Sequence, residues 1–287
     1  MRTLNFELKE MCVSNKDGSF STQKARSYTL NQIANDLQDL GFKQLTKQGL
    51  KPKHVHALLD LWNTNSLSEG TIKNRLTHLR WWSAHINKLG MIPKSNADLG
   101  VARRVYVTNL NKGQVLDGRL HDISDRLIQM SLRLQEAFGL RREESIKFDP
   151  NFADQGHILH LKASWTKGGK ERFVPIKTAA QRALIDECHK LVGKNSLIPG
   201  GKRFSQQLKV YENLTAKAGF HKLHGLRHNY AQQRYEQITG WQCSVAGGPK
   251  RADMNSEDKQ LDNTARQLLS RELGHERLDV VAIYIGS

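Results

Sequence analysis

The sequence has 287 residues and a net charge of +16, with 44 lysines and arginines against 28 acidic residues. A surplus of this size opposes compact folding by self-repulsion and is typical of proteins that bind a polyanion, with nucleic acid as the first candidate. The three cysteines, Cys12, Cys188 and Cys243, are widely separated, which argues against a disulfide framework and a structural zinc site. No apolar run approaches about 18 residues and no signal-peptide pattern is present, so we expect a cytoplasmic, nucleoid-associated protein without a membrane segment.

The first 95 residues predict a small all-helical domain. Amphipathic spacing predicts helices over 22–40, from Pro52 onward, and over 69–88. On the third of these helices the apolar side chains share one face, and the opposite face is expected to be exposed. That opposite face carries basic residues that we expect to contact DNA: Lys73, Arg75 and Arg80.

The next segment, 96–120, lacks clear periodicity and is predicted to be a basic linker between two domains. Its Arg103 and Arg104 are further candidates for DNA contact. Lysines and arginines outnumber acidic residues by 16 to 8 over residues 1–104 and by 28 to 20 over the remainder. Because both parts of the chain carry a similar positive surplus, we expect both to bind the same polyanion.

Residues 121–287 predict a second domain that is mainly helical. A helix is expected from Asp122 to Phe138, and two short apolar runs around a polar, glycine-containing segment predict a β-hairpin. The remaining predicted elements are the hairpin strands 158–161 and 172–176 and helices near 184–191, 205–218, 226–237 and 264–273. The expected fold class is therefore α+β, mainly α with a small antiparallel β-sheet, and Ala246 to Lys250 are expected to be a flexible insertion.

Histidine, arginine and tyrosine side chains in the second domain suggest a chemical site. His224 and Arg227 are three residues apart at the start of a predicted helix, so they share a face and can converge on one oxyanion. Such a pair alone usually marks only a basic helix terminus. With His275 and Tyr284 it would supply the groups needed to hold a phosphodiester and attack it with a tyrosine oxygen. His224 and His228 have the spacing of a helical metal pair, but no supporting motif accompanies them, so we expect no metal and no cofactor.

Five separated motifs, in this order, resemble those of the tyrosine recombinase (phage integrase) family. They are Gly139-Leu140-Arg141 with Glu144, the hairpin Thr166-Lys167-Gly168-Gly169-Lys170 through Ile176, His224-Gly225-Leu226-Arg227, Leu273-Gly274-His275, and Tyr284. The motifs span roughly residues 120–287, and the N-terminal helices resemble that family's core-binding domain in size and basicity. The resemblance implies a DNA-clamping domain over 1–95 and a catalytic domain over 121–287.

The resemblance also implies two residues that bind the phosphate and one that supports them. Arg141 and Arg227 match the family's two phosphate-binding arginines, and planar guanidinium groups suit paired phosphate oxygens. Arg142 is the nearest competitor for the first position, although the Gly-Leu-Arg frame favours Arg141. Glu144 matches the family's acidic residue and is expected to support the site.

Four further residues match the family's proton-transfer, phosphate-positioning and nucleophile positions. Lys167 matches the general acid that protonates the departing 5′ oxygen, with Lys170 as the alternative. His224 is expected to accept or relay the proton of the nucleophile, and His275 to bind and position the phosphate. Tyr284 matches the nucleophile, which would form a 3′-phosphotyrosyl link without a metal ion.

The function implied is that of a site-specific DNA recombinase, an integrase of a mobile element acting on double-stranded DNA as a tetramer on two sites. DNA-bending accessory proteins are further candidate partners. The alternatives are a type IB topoisomerase, which shares the phosphotyrosyl chemistry, and a noncatalytic DNA-binding relative. Arg227 and His275 are 48 positions apart, which is longer than usual for the family, and the sequence leaves open the role of the excess from Thr239 to Asn263.

Overall fold

The computed structural model describes residues 3–275 and 277–287, and the chain divides into two units. One unit ends at Val105 and the other runs from Tyr106 to Ser287, so the boundary falls inside the segment predicted as a linker. Within that segment two short 3₁₀ turns, at 97–99 and 118–122, flank a stretch that forms neither helix nor strand.

The described residues of the N-terminal unit form four α-helices. They are α1 (Thr3–Ser14), α2 (Phe20–Asp39), α3 (Pro52–Thr64) and α4 (Glu69–His85). The hydroxyls of Ser19 and Ser68 accept the amides of Thr22 and Thr71, which caps the starts of α2 and α4. Apolar faces of all four helices form one core, and the largest side chains in it, Trp62 and Trp82, are fully buried. Helix α1 was not predicted.

The exposed basic face predicted on α4 is only partly present, because Lys73 is exposed while Arg75 and Arg80 are half-buried. Arg75 donates to a carboxylate oxygen of Asp36 at 2.9 Å, and its side chain is 16% exposed. Arg80 donates to the carbonyl of Pro93 at 2.6 Å and to the amide oxygen of Asn96. Both arginines therefore satisfy carboxylate and carbonyl oxygens within their own unit, whereas Lys73 is exposed as expected.

The C-terminal unit is mainly helical with one two-stranded antiparallel sheet. Its elements are α5 (Arg126–Phe138), α6 (Arg142–Ile146), α7 (Pro150–Ala153), β1 (Ile158–Leu161), β2 (Arg172–Pro175), α8 (Ala179–Val192), α9 (Phe204–Lys217), α10 (His224–Thr239), α11 (Ser256–Glu272) and α12 (Ala282–Ile285). The strands pair with Leu159 opposite Val174, and both side chains enter the core. The expected α+β class is confirmed.

Helix α10 organises this unit because it packs against α5, α11 and α12. Its buried side chains include Leu226, Tyr230 and Tyr235, so the helix runs through the core and begins at the surface with His224. Helix α10 ends with its C-cap at Gly240, and the chain then turns back through α11 so that α12 lies beside α10. The start of α10 and the short helix α12 are thereby brought together from positions about 60 residues apart in sequence.

The connection between α10 and α11 is ordered rather than a flexible insertion. Two 3₁₀ turns, Ser244–Ala246 and Arg251–Asp253, lie within it. The amides of Ala246 and Gly248 both donate to the carbonyl of Cys243, at 2.9 and 3.0 Å. The sequence expectation failed because glycine and proline mark a departure from helix and strand, not a lack of fixed contacts.

Among the described residues, no helix combines the length and the apolar character needed to cross a membrane.

Candidate active site

A cleft of about 850 Å³ in the C-terminal unit brings the predicted site residues together. Residues from separated segments line it: Arg141, Lys167, His224, His275 and Tyr284. Arg227 is only 1% exposed, and it lies beneath the cleft surface, in contact with Tyr284 and His275. All six residues proposed from the sequence as catalytic thus meet at one site.

Tyr284 is largely buried, with 6% of its surface exposed, on the single turn of α12. Its phenol oxygen lies 3.4 Å from Nε of Arg227 and 3.4 Å from Nε2 of His224. The ring lies against His228 and His275, with centroid separations of 4.6 and 5.5 Å. The phenol oxygen therefore faces a cation and an imidazole, while the rest of the ring is held by packing.

Arg227 is fixed by backbone oxygens. Its Nη1 donates to the carbonyl of Gly139 and its Nη2 to the carbonyl of Leu273. Nη2 also lies 3.5 Å from Nε2 of His275. Burial lowers the pKa of Arg227, and the neighbouring Arg141 lowers it further. Since an arginine keeps its proton over the whole physiological range, the group is a fixed positive charge at the base of the cleft.

Glu144 is the buried acid of the site, and three arginines surround it. Arg141 donates to it from both its side chain, at 2.7 Å, and its backbone amide, at 2.6 Å. Arg172, 3% exposed, forms a second ion pair with the same carboxylate. Burial tends to raise the pKa of Glu144, but Arg172, Arg227 and Arg141 overcome this, and the pKa falls below its ordinary value. The carboxylate is therefore ionised and holds the arginines in place.

The inner part of the site carries more positive than negative charge. Arg141, Arg172 and Arg227 meet the single carboxylate of Glu144, while the neighbouring acid Glu272 forms its ion pair with Arg234. Burial lowers the pKa of Arg172 to about 9, only partly offset by Glu144, and the two other arginines lower it further. Since buried charges need opposite charges close by, an anion is the ligand that this arrangement favours.

The three histidines of the site are neutral at neutral pH. Desolvation lowers the pKa of His275 to about 3, and Arg227 and Arg141 add to the effect. Desolvation also lowers the pKa of His224 to about 4, again with help from Arg227 and Arg141, although His224 keeps exposed surface. The pKa of His228 is likewise lowered to about 4, mainly by burial and then by His224. A neutral imidazole has a free nitrogen lone pair, so His224 can accept a proton.

Folding stability should decrease as the pH falls from about 6.5 towards 4, because the unfolded histidines bind protons that the folded site does not. A lowered folded pKa contributes stability above the unfolded value of 6.5, and this contribution is lost towards the folded value of about 4. His228→Gln should reduce the slope of the free energy of unfolding against pH by up to about 1.4 kcal/mol per pH unit. Urea unfolding midpoints between about pH 7 and 4.5 measure this slope.

Tyr211→Phe is the matched control for that change. Tyr211 is equally buried, at 2% exposure, and burial raises the pKa of its phenol to about 12, outside the acid range. Tyr211→Phe should lower the urea unfolding midpoint at every pH without changing how steeply the midpoint depends on pH. An unaltered slope in His228→Gln would show that His228 takes up its proton equally in the folded and unfolded chain.

Lys167 lies in the connection between β1 and β2 and is exposed. The hydroxyl of Thr166, next to it, lies within hydrogen-bond distance of the carbonyls of Ala163 and Lys170 and can donate to either, which shapes the turn. Lys167, Thr166 and Lys170 all line the cleft, so both lysines considered from the sequence border the site. The exposure of Lys167 leaves its ammonium group able to reach a ligand that enters from solvent.

Arg172 is the main site residue that the sequence reasoning missed. It lies on β2 inside the quoted hairpin motif, and strand alternation places it on the same face as the buried Val174. Its Nη1 donates to the carbonyl of Glu272 at 2.9 Å, and a Cβ on Gly274 would lie 2.7 Å from its Cδ. Gly274, which has φ +64°, is therefore the residue that lets the chain pass over this arginine.

His228, whose spacing from His224 is that of a helical metal pair, packs against the nucleophile candidate. It is 5% exposed, with its ring beside Tyr284, and its spacing of four residues from His224 places both rings on one helix face. Its Nδ1 has no hydrogen-bond partner among the described atoms. Within 3–275 and 277–287, no group of three or more His, Cys, Asp or Glu side chains is arranged to hold a metal ion.

The candidates for DNA contact outside the cleft all belong to the N-terminal unit. Lys73, Arg103 and Arg104 are exposed there. The guanidinium of Arg104 lies close to Gly70, where an added Cβ would be 3.2 Å from its Nη1. Contact with DNA remains a prediction for these residues and for the half-buried Arg75 and Arg80.

Two family models match the sequence. The N-terminal phage integrase model matches residues 1–88, and the integrase model matches residues 102–233. Between them they match more than half of the chain. A search among curated protein sequences finds no significant match.

The fold is similar to those of solved recombinases with low sequence identity. A lambda integrase dimer bound to a COC′ core site is 12% identical with a TM-score of 0.62, covering 98% of this chain and 75% of that one. The XerH site-specific recombinase bound to palindromic difH substrate is 17% identical with a TM-score of 0.58, covering 98% and 80%. The Tn1549 transposon integrase in complex with circular intermediate DNA is 13% identical with a TM-score of 0.58, covering 100% and 96%.

Proposed function

Because the chain belongs to the phage integrase family, we propose that it is a site-specific DNA recombinase. It cleaves and rejoins DNA strands through a covalent bond between Tyr284 and a DNA 3′ phosphate. The observation that carries this proposal is the position of the phenol oxygen, 3.4 Å from both Arg227 and His224, in a cleft with surplus buried positive charge. A phosphodiester is an anion, and a phenol beside a base and a guanidinium is suited to attack it.

In the first step the Tyr284 oxygen attacks phosphorus and its proton passes to Nε2 of His224. The bond from phosphorus to the 5′ oxygen breaks, and Lys167 gives a proton to that oxygen, which leaves as a hydroxyl. The products are a 3′-phosphotyrosine and a free 5′ hydroxyl, so the phosphodiester bond energy is retained. A 5′ hydroxyl from a partner strand then attacks the phosphotyrosine and reverses the proton transfers.

The charge that develops on the phosphate is met by guanidinium groups held before the reaction begins. Arg141 is 20% exposed at its side chain and lines the cleft, so it can bind a phosphate oxygen directly. Arg227 lies beneath the phenol, and Glu144 fixes Arg141 from behind. His275 would donate to or orient the same phosphate. These groups supply the stabilisation that a metal ion supplies in other phosphoryl-transfer sites, so the proposed reaction needs no metal or cofactor.

The proposed substrate is double-stranded DNA, contacted by both basic units and recombined by a tetramer on two sites. Integration or excision of a mobile element is the process that fits a recombinase of this family. The protein would then act on DNA in the cytoplasm, with DNA-bending proteins as candidate accessories. Its affinity should fall steeply with salt, because neutralised phosphates release counterions.

The test of this function is to trap the native protein on a library of nicked duplexes and to sequence the DNA that becomes covalently attached. A defined recovered sequence, followed by recombination between two copies of it, supports the proposal. Relaxation of a supercoiled plasmid without sequence choice or paired sites would instead identify a type IB topoisomerase. Binding without any covalent product would identify a noncatalytic DNA-binding protein.

A further inference from the structure

The helix that carries Tyr284 cannot fix its own position. Helix α12 comprises only Ala282–Ile285, a single turn, and isolated helices this short are unstable in water. The position of the phenol oxygen is therefore determined by what holds the chain on either side. Upstream, the amide of Tyr284 donates to the carbonyl of Val281. Downstream, Ile285–Ser287 contact three other segments of the C-terminal unit.

Those downstream contacts are hydrogen bonds to backbone carbonyls and amides. The hydroxyl of Ser244 lies 3.2 Å from the carbonyl oxygen of Ile285 and 3.3 Å from that of Ser287. Nη1 of Arg266 donates to the carbonyl of Gly286 at 3.0 Å. Oδ1 of Asn109 accepts the amide of Ser287 at 3.2 Å. Ile285, Gly286 and Ser287 are thus each in contact with a side chain that is distant in sequence.

Arg266 is held in place by a buried acid as well as by its contact with Gly286. Its Nε donates to both carboxylate oxygens of Asp262, at 2.8 and 2.9 Å, and Asp262 is 0% exposed. The same carboxylate accepts the phenol of Tyr235 at 2.8 Å and pairs with Arg251. A guanidinium bound on one edge by a carboxylate has little freedom to move, so its other edge presents a fixed donor to Gly286.

The backbone at Gly286 also packs closely on the connection between α10 and α11. Gly286 has φ +86° and ψ 179°, a conformation open essentially to glycine alone. A Cβ there would lie 2.9 Å from Val245 Cγ1 and closer still to the Ser244 hydroxyl. The preceding Ile285 is fully buried. Residues 285–287 are therefore in van der Waals contact with the 240–255 segment as well as hydrogen-bonded to it.

We propose that Asn109, Ser244 and Arg266 form a latch that holds residues 285–287 and thereby positions Tyr284 in the cleft of its own chain. The proposal rests on the proposed function for the role of Tyr284, and it assigns a purpose to the connection between α10 and α11, which supplies Ser244. The latch residues do not contact the phosphate. They are positioning residues that set the distance from the phenol oxygen to Arg227 and His224.

The test compares Arg266→Gln and Gly286→Ala with native protein on the nicked duplex recovered by covalent trapping. Single-turnover formation of the covalent complex should slow by about tenfold to a hundredfold, because small displacements of a reacting atom have effects of that size. The dissociation constant for the same duplex should change less than about twofold, since the phosphate-binding groups remain in place. A loss confined to the covalent step is the result that supports a positioning role.

Matched controls separate the latch from general damage. Gly201→Ala introduces a side chain at another glycine of positive φ, +80°, where nothing lies within 4 Å of the new Cβ. Arg182→Gln removes an arginine that also pairs with an aspartate, Asp154 at 2.6 Å, but in a more exposed ion pair and on α8. Both should cleave at native rates. Arg266→Lys, which keeps the charge, should recover part of the rate lost in Arg266→Gln.

Hydrogen exchange gives a second readout that does not depend on DNA. In Arg266→Gln the amides of Gly286 and Ser287 should exchange faster than in native protein, while those in the middle of α5 should be unchanged. Native cleavage rates and native exchange at 285–287 in both variants would overturn the latch and leave the recombinase proposal intact. If native protein forms no covalent complex, the recombinase proposal fails, and the exchange experiment still decides whether the latch exists.

Discussion

Tyr284→Phe should abolish covalent attachment to DNA while leaving DNA binding within about twofold of native. The change removes only the phenol oxygen, and the ring keeps its packing against His228 and His275. Without a nucleophile no phosphotyrosine can form, so the adduct on a labelled nicked duplex should fall by at least about 10³-fold on a denaturing gel.

Tyr211→Phe provides the control for this experiment. It also removes one buried phenol oxygen, which accepts a hydrogen bond from Gln135 at 3.0 Å, but on α9 and away from the cleft. The adduct should form at the native rate in that variant. A persisting adduct in Tyr284→Phe would show that another residue attacks the DNA and would remove the central residue of the proposed mechanism.

Glu144→Gln should destabilise the C-terminal unit by about 3–5 kcal/mol, the usual result of removing one partner from a buried ion pair. Glu144 is 0% exposed and pairs with Arg141 and Arg172, and the charge of Arg227 also acts on it. The amide keeps the volume of the carboxylate but leaves those guanidinium groups without a negative charge. Urea unfolding at neutral pH measures the effect.

Glu143→Gln is the neighbouring control. Glu143 also forms an ion pair, with Lys147 at 2.5 Å, but its side chain is 53% exposed. Exposed pairs contribute about 0–1 kcal/mol, so the control should be close to native in stability. Equal losses in the two variants would mean that the burial of Glu144 has no energetic role.

The stability difference between native protein and Glu144→Gln should also shrink in acid. Burial raises the pKa of Glu144, but the three arginines lower it more, so its folded pKa lies below the ordinary value of 4.5. A carboxylate of this kind contributes stability above its unfolded pKa and loses it as the pH falls through the folded pKa. The two proteins should therefore converge only below about pH 4.5, which unfolding at several acid pH values can follow.

The family, the fold class and the meeting of the six site residues could be predicted because each depends on a local pattern. Gly-Leu-Arg, the hairpin, His-x-x-Arg and Leu-Gly-His are short motifs, and their fixed order made the resemblance specific. Helix α1 had a usable signal as well, since Leu4, Leu8 and Met11 have helical spacing and are buried together.

Contacts between distant segments could not be predicted. Arg75 and Arg80 occupy polar positions on an amphipathic helix, and nothing in the spacing reveals that Asp36 and Pro93 lie within reach. The role of Arg172 depends on Glu144, which is 28 positions earlier and on another element. Periodicity indicates which face of a helix is polar, but only the fold determines whether a polar side chain meets solvent or a buried partner.

The two carbonyls that hold Arg227 are at the ends of helices. Gly139 is the C-cap of α5 and Leu273 the C-cap of α11, and carbonyls at such positions lack partners within their own helix. A cation placed there is also stabilised by the negative ends of both helix dipoles. Arg227 is therefore a shared helix cap as well as a candidate phosphate ligand, so any neutral substitution would fray α5 and α11 together with the site. Inactivity and misfolding are inseparable at position 227, which makes Tyr284, rather than Arg227, the position at which a folded but inactive protein can be made.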